Sequence, residues 1–166
     1  MREQTDKPIL GILLTHPHTD HYGGLPVFVE AAGGDIPIYA AQATAEDIRT
    51  DKQGFIEARN ELHGNDFPDK ENIPNQIVED GEEIEIGGIT LQASNLPENE
   101  TLVTTTYYLP EKEALFTGDL VNVKTTAFLG EGNNENWMQQ LRMLLERYPE
   151  AETAILVTVI RGQHKS

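Results

Sequence analysis

The sequence contains no cysteine. Disulfides and thiolate metal ligands are therefore excluded, and any transition ion must be held by imidazole and carboxylate. Basic residues are scarce, with 12 Lys and Arg against 28 Asp and Glu and a net charge of −16. Wrapping a phosphate backbone requires a basic footprint, so nucleic acid is not an expected partner. Acidity otherwise describes a solvated surface and says little about substrate. Long apolar runs are also missing: the longest are strand-length, too short to cross a bilayer, so no membrane partner is expected. The opening MREQTDKP is polar and lacks a signal-peptide hydrophobic region, which points to the cytoplasm unless a signal precedes this start. No internal repeat or low-complexity tract is present. A length of 166 residues suits one domain, taken here as 1–166, with a core of its own.

The periodicities predict alternating groups of strands and helices. KPILGILLT reads as a buried strand ahead of a polar loop. GGLPVFVEAAGG reads as a short helix with Pro26 in its first turn and Gly33 as its stop. IPIYA is a second short strand. TAEDIRTDKQGFIEARNELHG is amphipathic, with Ile48, Phe55, Ile56, Arg59 and Leu62 near helical spacing, and predicts one helix weakened at Gly54 and ended by Gly64. EEIEIGGITLQAS alternates on both sides of Gly87 and Gly88, the pattern of a hairpin with a primed turn. TTTYYLPEKEALFTGD predicts two strands joined at Pro110 to Glu113. NENWMQQLRMLLERYPE predicts a helix with Trp137, Leu141, Leu144, Leu145 and Tyr148 on one face. TAILVTVI closes the chain as a strand. Hairpins with helices between them predict an α+β architecture of mixed sheets with helices packed outside.

The chemistry concentrates in ILLTHPHTDHYGG, which holds three of the five histidines. His16 and His18 follow a strand, where residues i and i+2 point the same way and two imidazoles can converge on one ion. Asp20 and His21 come as the chain turns into a helix, which aims them at a neighbouring point. The H-x-H-x-D-H spacing therefore suits two adjacent metals. Gly23 and Gly24 are expected to let the backbone turn tightly beneath them. A carboxylate straight after the apolar strand ALFTG, Asp119, lies at a sheet edge, where sites are commonly built. His63 reads as an exposed residue at a helix C-terminus, Tyr22 as a packed aromatic and Trp137 as core.

THPHTDHYGG resembles the signature of the metallo-β-lactamase-fold hydrolases. LVTTTYYLPEKEALFTGDLV resembles that family's strand, turn and strand ending in a GD aspartate, and NENWMQQLRMLLERYPEAET its late helix. The resemblance runs from Ile9 to about Thr153. It implies an αβ/βα sandwich with two metals, usually zinc, at one edge, and a metal-bound hydroxide that cleaves an ester, lactone, thioester, amide, sulfate ester or phosphoester. Carried onto this chain, His16 and His18 would bind the first ion, Asp20 and His21 the second, and Asp119 would bridge them. Asp20 would also orient the hydroxide.

Three departures qualify the resemblance. The family's GHT-like loop before the YLP strand has no histidine here. In NLPENETLVTTTYYLP, Glu100 falls at the equivalent place, with Glu98 as the less favoured stand-in, which resembles the alkylsulfatase branch. A glutamate there makes the donor set more negative, which implies a weaker Lewis acid and tolerance of manganese or iron. Second, Thr158 occupies the place of the family's last histidine, and His164 is the candidate substitute ligand. Third, about fifteen residues precede the histidine motif where the family has several strands, so the N-terminal sheet is expected to be incomplete and a homodimer to cover the apolar surface left open. The implied function is a metal-dependent hydrolase of a small molecule. The alternative is a catalytically inactive or truncated metal-binding relative.

Overall fold

The computed structural model describes residues 7–52, 54–64, 73–123, 130 and 132–156. In chain order the elements are β1 (Ile12–Leu13), α1 (Thr19–Tyr22), α2 (Leu25–Ala32), β2 (Ile38–Ala40), α3 (Gln42–Thr50), α4 (Phe55–His63), β3 (Gln76–Ile77), β4 (Glu83–Ile86), β5 (Ile89–Pro97), β6 (Val103–Leu109), β7 (Ala114–Phe116), α5 (Asn134–Arg147) and β8 (Thr153–Ile155). The first three strands form a parallel sheet in the order β1-β2-β3, with Ile12 opposite Ile38 and Tyr39 opposite Gln76. The other five form a sheet in the order β4-β5-β6-β7-β8, antiparallel except for the last pair.

Alternation along the strands sorts their side chains into three cores, and so into four layers. Leu14, Ile38 and Ala40 face outward from the first sheet onto Tyr22, Leu25, Ile48 and Ile56 of the helices. Leu13 and Tyr39 point the other way and meet Ile84, Leu91, Ala93, Tyr107 and Phe116, which fills the space between the sheets. Leu96, Tyr108 and Leu115 face outward from the second sheet onto Trp137, Leu144 and Tyr148 of the α5 segment. The result is an αβ/βα sandwich.

Local rules explain most boundaries. Gly33 ends α2 at φ +94°, with the amides of Gly33 and Gly34 closing back on the helix carbonyls of Glu30 and Val29. Gly87 and Gly88 both have positive φ, at the two central positions of the β4–β5 turn. The single helix expected from Thr44 to Gly64 is in fact two. Asp51 takes a left-handed conformation (φ 47°) that ends α3. Its carboxylate then accepts the amides of Ile56 (3.0 Å) and Glu57 (3.2 Å), which caps α4. One residue thus stops one helix and starts the next. Leu62 and Leu145, both expected on buried faces, are 74% and 75% exposed. On α5 the buried positions are Trp137, Gln140 and Leu144, so a glutamine takes part of the face expected to be apolar. The closing strand is observed as Thr153–Ile155, and its expected continuation from 157 onward lies outside the described residues.

Candidate metal centre

The end of β1 carries the first two histidines and is fastened from both sheets. The Leu14 amide donates to the Tyr39 carbonyl (2.9 Å), and the Thr105 amide donates to the Thr15 carbonyl (2.7 Å). The Tyr107 hydroxyl crosses the sandwich to donate to the Leu14 carbonyl (2.8 Å). His16 follows at once and is fully buried. Its Nδ1 lies 3.0 Å from the Thr15 hydroxyl, and its Nε2 lies 3.1 Å from His18 Nδ1. With the His16 proton assigned to Nδ1 and donated to Thr15, the Nε2 lone pair faces His18, the arrangement a ligating imidazole needs. Burial, reinforced by His21 and His18, holds the His16 pKa well below the usual histidine range, so the ring is neutral.

Beyond His18 the chain enters α1, a single turn that places Asp20 and His21. Gly23 and Gly24 were expected to supply special backbone freedom, but both lie in the ordinary right-handed region. The turn is fixed instead by Tyr22 and Leu25 sinking into the first core. His21 Nε2 is 3.3 Å from Asp119 Oδ2 and 3.8 Å from Asp20 Oδ2. Burial alone would lower the His21 pKa. The hydrogen bond and charge of Asp119, with Asp20 and Glu100 behind, outweigh it, and the net shift is upward.

Asp119 is delivered by the end of β7 through Gly118, at φ +54°, where a β-carbon would stand 2.8 Å from the Thr15 hydroxyl oxygen. Only glycine allows the two ligand-bearing segments to approach this closely. The turn is held by Trp137, whose indole N–H donates to the Leu120 carbonyl (2.9 Å), and by Asn122, whose amide donates to the Asp119 carbonyl (2.6 Å).

Glu100 sits on the loop between β5 and β6. It is buried, with Oε1 3.6 Å from His18 Nδ1. Burial, with Asp119 nearby, raises its pKa to about 7. Glu98, the other candidate, is exposed in a left-handed turn (φ 54°). The loop owes its shape to a polar network that sequence reading did not find. The Asn99 amide donates to the Leu96 carbonyl and to Gln140 Oε1 (both 2.8 Å), while its oxygen accepts from the Thr104 hydroxyl (2.5 Å). Gln140 donates back to the Pro97 carbonyl, and Asn136 donates to the carbonyls of Pro97 (2.9 Å) and Glu98 (2.8 Å). α5 therefore braces both carboxylate loops.

Two groups of ligand atoms result: His16, His18 and Glu100, and His16, His21 and Asp119, each within 4.8 Å of one another. Four ligands at about 2.0–2.2 Å from one ion lie roughly 3.4 Å apart. Separations of 3.1, 3.3 and 3.6 Å bracket that value, so the donor set fits a metal. Asp20 belongs to neither group but stands beside His21, with a side chain 62% exposed. Thr158 and His164 lie outside the described residues, as does the side chain of His63. A cleft of about 370 Å³ opens on the cluster, lined by His18, Thr19, Asp20, Phe55, Arg59, Glu100 and Asp119. Phe55 and Arg59 were read only as part of a helical face. The signal for more was their i, i+4 spacing, which places an aromatic and a cation one turn apart.

A family model described as the metallo-beta-lactamase superfamily matches residues 1–156. A hydroxyacylglutathione hydrolase of Shewanella halifaxensis (strain HAW-EB4) is 49% identical over 39 residues, 24% of this chain and 15% of that protein. A linear primary-alkylsulfatase of a Pseudomonas species is 27% identical over 142 residues, 69% of this chain and 21% of that protein. The chain thus spans about a fifth or less of the length of these curated relatives. Among solved structures, TTHA1623 in a di-iron-bound form superposes with a TM-score of 0.66 at 27% identity, covering 89% of this chain and 68% of that one.

Proposed function

Because this chain belongs to the metallo-beta-lactamase superfamily, we propose that it is a metal-dependent hydrolase of a small-molecule ester, thioester, lactone, amide or sulfate ester. The observation that carries the reading is the convergence of side chains from three separate segments, with His16 common to both ligand groups. His16, His18 and Glu100 would hold one ion. Asp20 and His21 would hold the second, with Asp119 between the two. The expected metal is zinc, and three carboxylates among the donors leave room for iron or manganese. When bound, such ions polarise a substrate oxygen and make a water acidic enough to attack near neutral pH.

The rest of the task falls to the protein. Thr15 holds the His16 ring by its Nδ1 proton, which keeps Nε2 free to ligate. Asp20, the most exposed of the three carboxylates, lines the cleft and would accept a hydrogen bond from the attacking water, which would orient it while Asp20 helps to hold the second ion. Phe55 walls one side of the cleft, with its ring edge-on to His18. The similarity to an alkylsulfatase and to a hydroxyacylglutathione hydrolase favours sulfate esters and thioesters within the proposed range.

Elemental analysis of the purified protein, followed by a hydrolysis panel of those ester classes, tests the proposal. About two ions per chain are expected, with hydrolysis lost on chelation and restored by zinc, iron or manganese. A protein that keeps its metals and cleaves no member of the panel would instead be an inactive metal-binding relative. The exposure of Asp20 is the observation that favours that second reading.

A further inference from the structure

The cleft beside the ligand cluster has one basic wall. Three of its lining side chains are carboxylates, Asp20, Glu100 and Asp119, and Arg59 is the only arginine or lysine among them. Arg59 and Phe55 are four residues apart on α4 and so project from one face of the helix. The Phe55 ring stands edge-on to His18 with centroids 5.7 Å apart, which fixes this face of α4 against the site. Arg59 itself is exposed, and it forms no ion pair among the described residues. Among the described residues, the two arginines in ion pairs are engaged elsewhere: Arg49 with Glu46 and Arg147 with Asp80. A guanidinium unpaired among the described residues, lining an otherwise acidic cleft in a chain of net charge −16, is available to a ligand.

We propose that Phe55 and Arg59 form a substrate subsite for an apolar segment that ends in a monoanionic group, a carboxylate, sulfonate or sulfate, set apart from the bond that is cleaved. This rests on the hydrolase reading above and narrows its substrate. The aromatic ring covers the apolar stem, and the guanidinium fork takes two oxygens of the anion side by side. Surface acidity repels anions, but that repulsion is screened beyond about 8–10 Å in physiological salt, so the short-range fork decides. Recognition of this kind is worth about tenfold in affinity or more.

The test uses the metal-loaded protein and two independent measurements. The first is calorimetric titration with 1-hexanesulfonate, a poor metal ligand, with 1-hexanol as the neutral control. Wild type should bind the sulfonate and discriminate against the alcohol. Arg59→Gln should weaken sulfonate binding about tenfold, Arg59→Lys should recover part of the loss, and Phe55→Ala should weaken both probes. The second compares mono-4-nitrophenyl glutarate with its methyl ester, where the ratio of kcat/KM values should fall about tenfold in Arg59→Gln. Sulfonate affinity that is the same in wild type and Arg59→Gln, or absent from wild type, overturns the subsite. Arg59-dependent sulfonate binding in a protein that hydrolyses neither these esters nor any member of the panel overturns the hydrolase reading and leaves the subsite standing. Unchanged circular dichroism of each variant confirms that the effects are local.

Discussion

The two halves of the candidate centre are built differently. The half formed by His16, His18 and Glu100 is enclosed: His16 is fully buried, Glu100 is nearly so, and both sit on backbone held by hydrogen bonds from a neighbouring strand or helix. The half formed by Asp20, His21 and Asp119 rests on a one-turn helix and a short turn, and its outer carboxylate is mostly in water. In the proposed two-ion centre the enclosed half would be preorganised to keep its ion. The open half can exchange ligands with solvent and substrate. Rigid donors cost little reorganisation when an ion binds, so affinity should follow enclosure and reactivity should follow access.

The largest effect is expected where the halves meet. Removing the shared ring with His16→Ala should take bound metal from about two ions per chain to nearly none and lower hydrolysis by more than about 10³-fold, read by elemental analysis and initial rates. Asp119→Asn should separate the halves. The open ion is lost, the enclosed one stays, and activity falls by about 10²-fold; equal loss of both ions would show that they bind as a unit. Asn99→Ala should act only on the enclosed half. It removes the donor to Leu96 and Gln140, so the Glu100 loop loosens, with a loss of about 1–3 kcal/mol of stability and a 10–100-fold weaker first ion. Competition against a chromophoric chelator reads the affinity, and urea unfolding of the metal-free protein reads the stability.

The smallest effect is in pH. In the metal-free protein the Glu100 pKa is raised to about 7, from an ordinary value near 4.5. Between those values the unfolded chain has released this proton while the folded chain still holds it. Stability contributed by the neutral carboxyl is present below about pH 4.5 and is lost as pH rises through about 7. The Tm of metal-free protein should therefore fall over that window, and Glu100→Gln should flatten the slope. Added metal should reverse it, because the cation favours the charged carboxylate.

Much of this was legible in the sequence, and the exceptions share a physical cause. The paired glycines at 87 and 88 announced their hairpin because few other residues tolerate two successive positive φ values. His16, His18, Asp20 and His21 pointed to a candidate metal centre because so dense a donor run has few other uses, and the structure brings Glu100 and Asp119 beside the three histidines from elsewhere in the chain. Asp51 did not announce that it would split a helix, since its capping role depends on its own backbone turning left-handed first. Asn99 and Gln140 carried no signal at all. They are polar residues 41 positions apart, and their value exists only once α5 is laid against the β5–β6 loop. Arg59 was counted toward a buried face because periodicity reports spacing and not what stands opposite.

The contact between Gly118 and Thr15 has a practical consequence for anyone redesigning the molecule. A methyl group at position 118 would press on the hydroxyl that steadies His16, so a change made in one strand end would be felt as a rotated imidazole on another. Libraries aimed at new substrates should leave positions 15 and 118 untouched and diversify 59 first, an exposed cleft position, before 55, whose ring packs against His18.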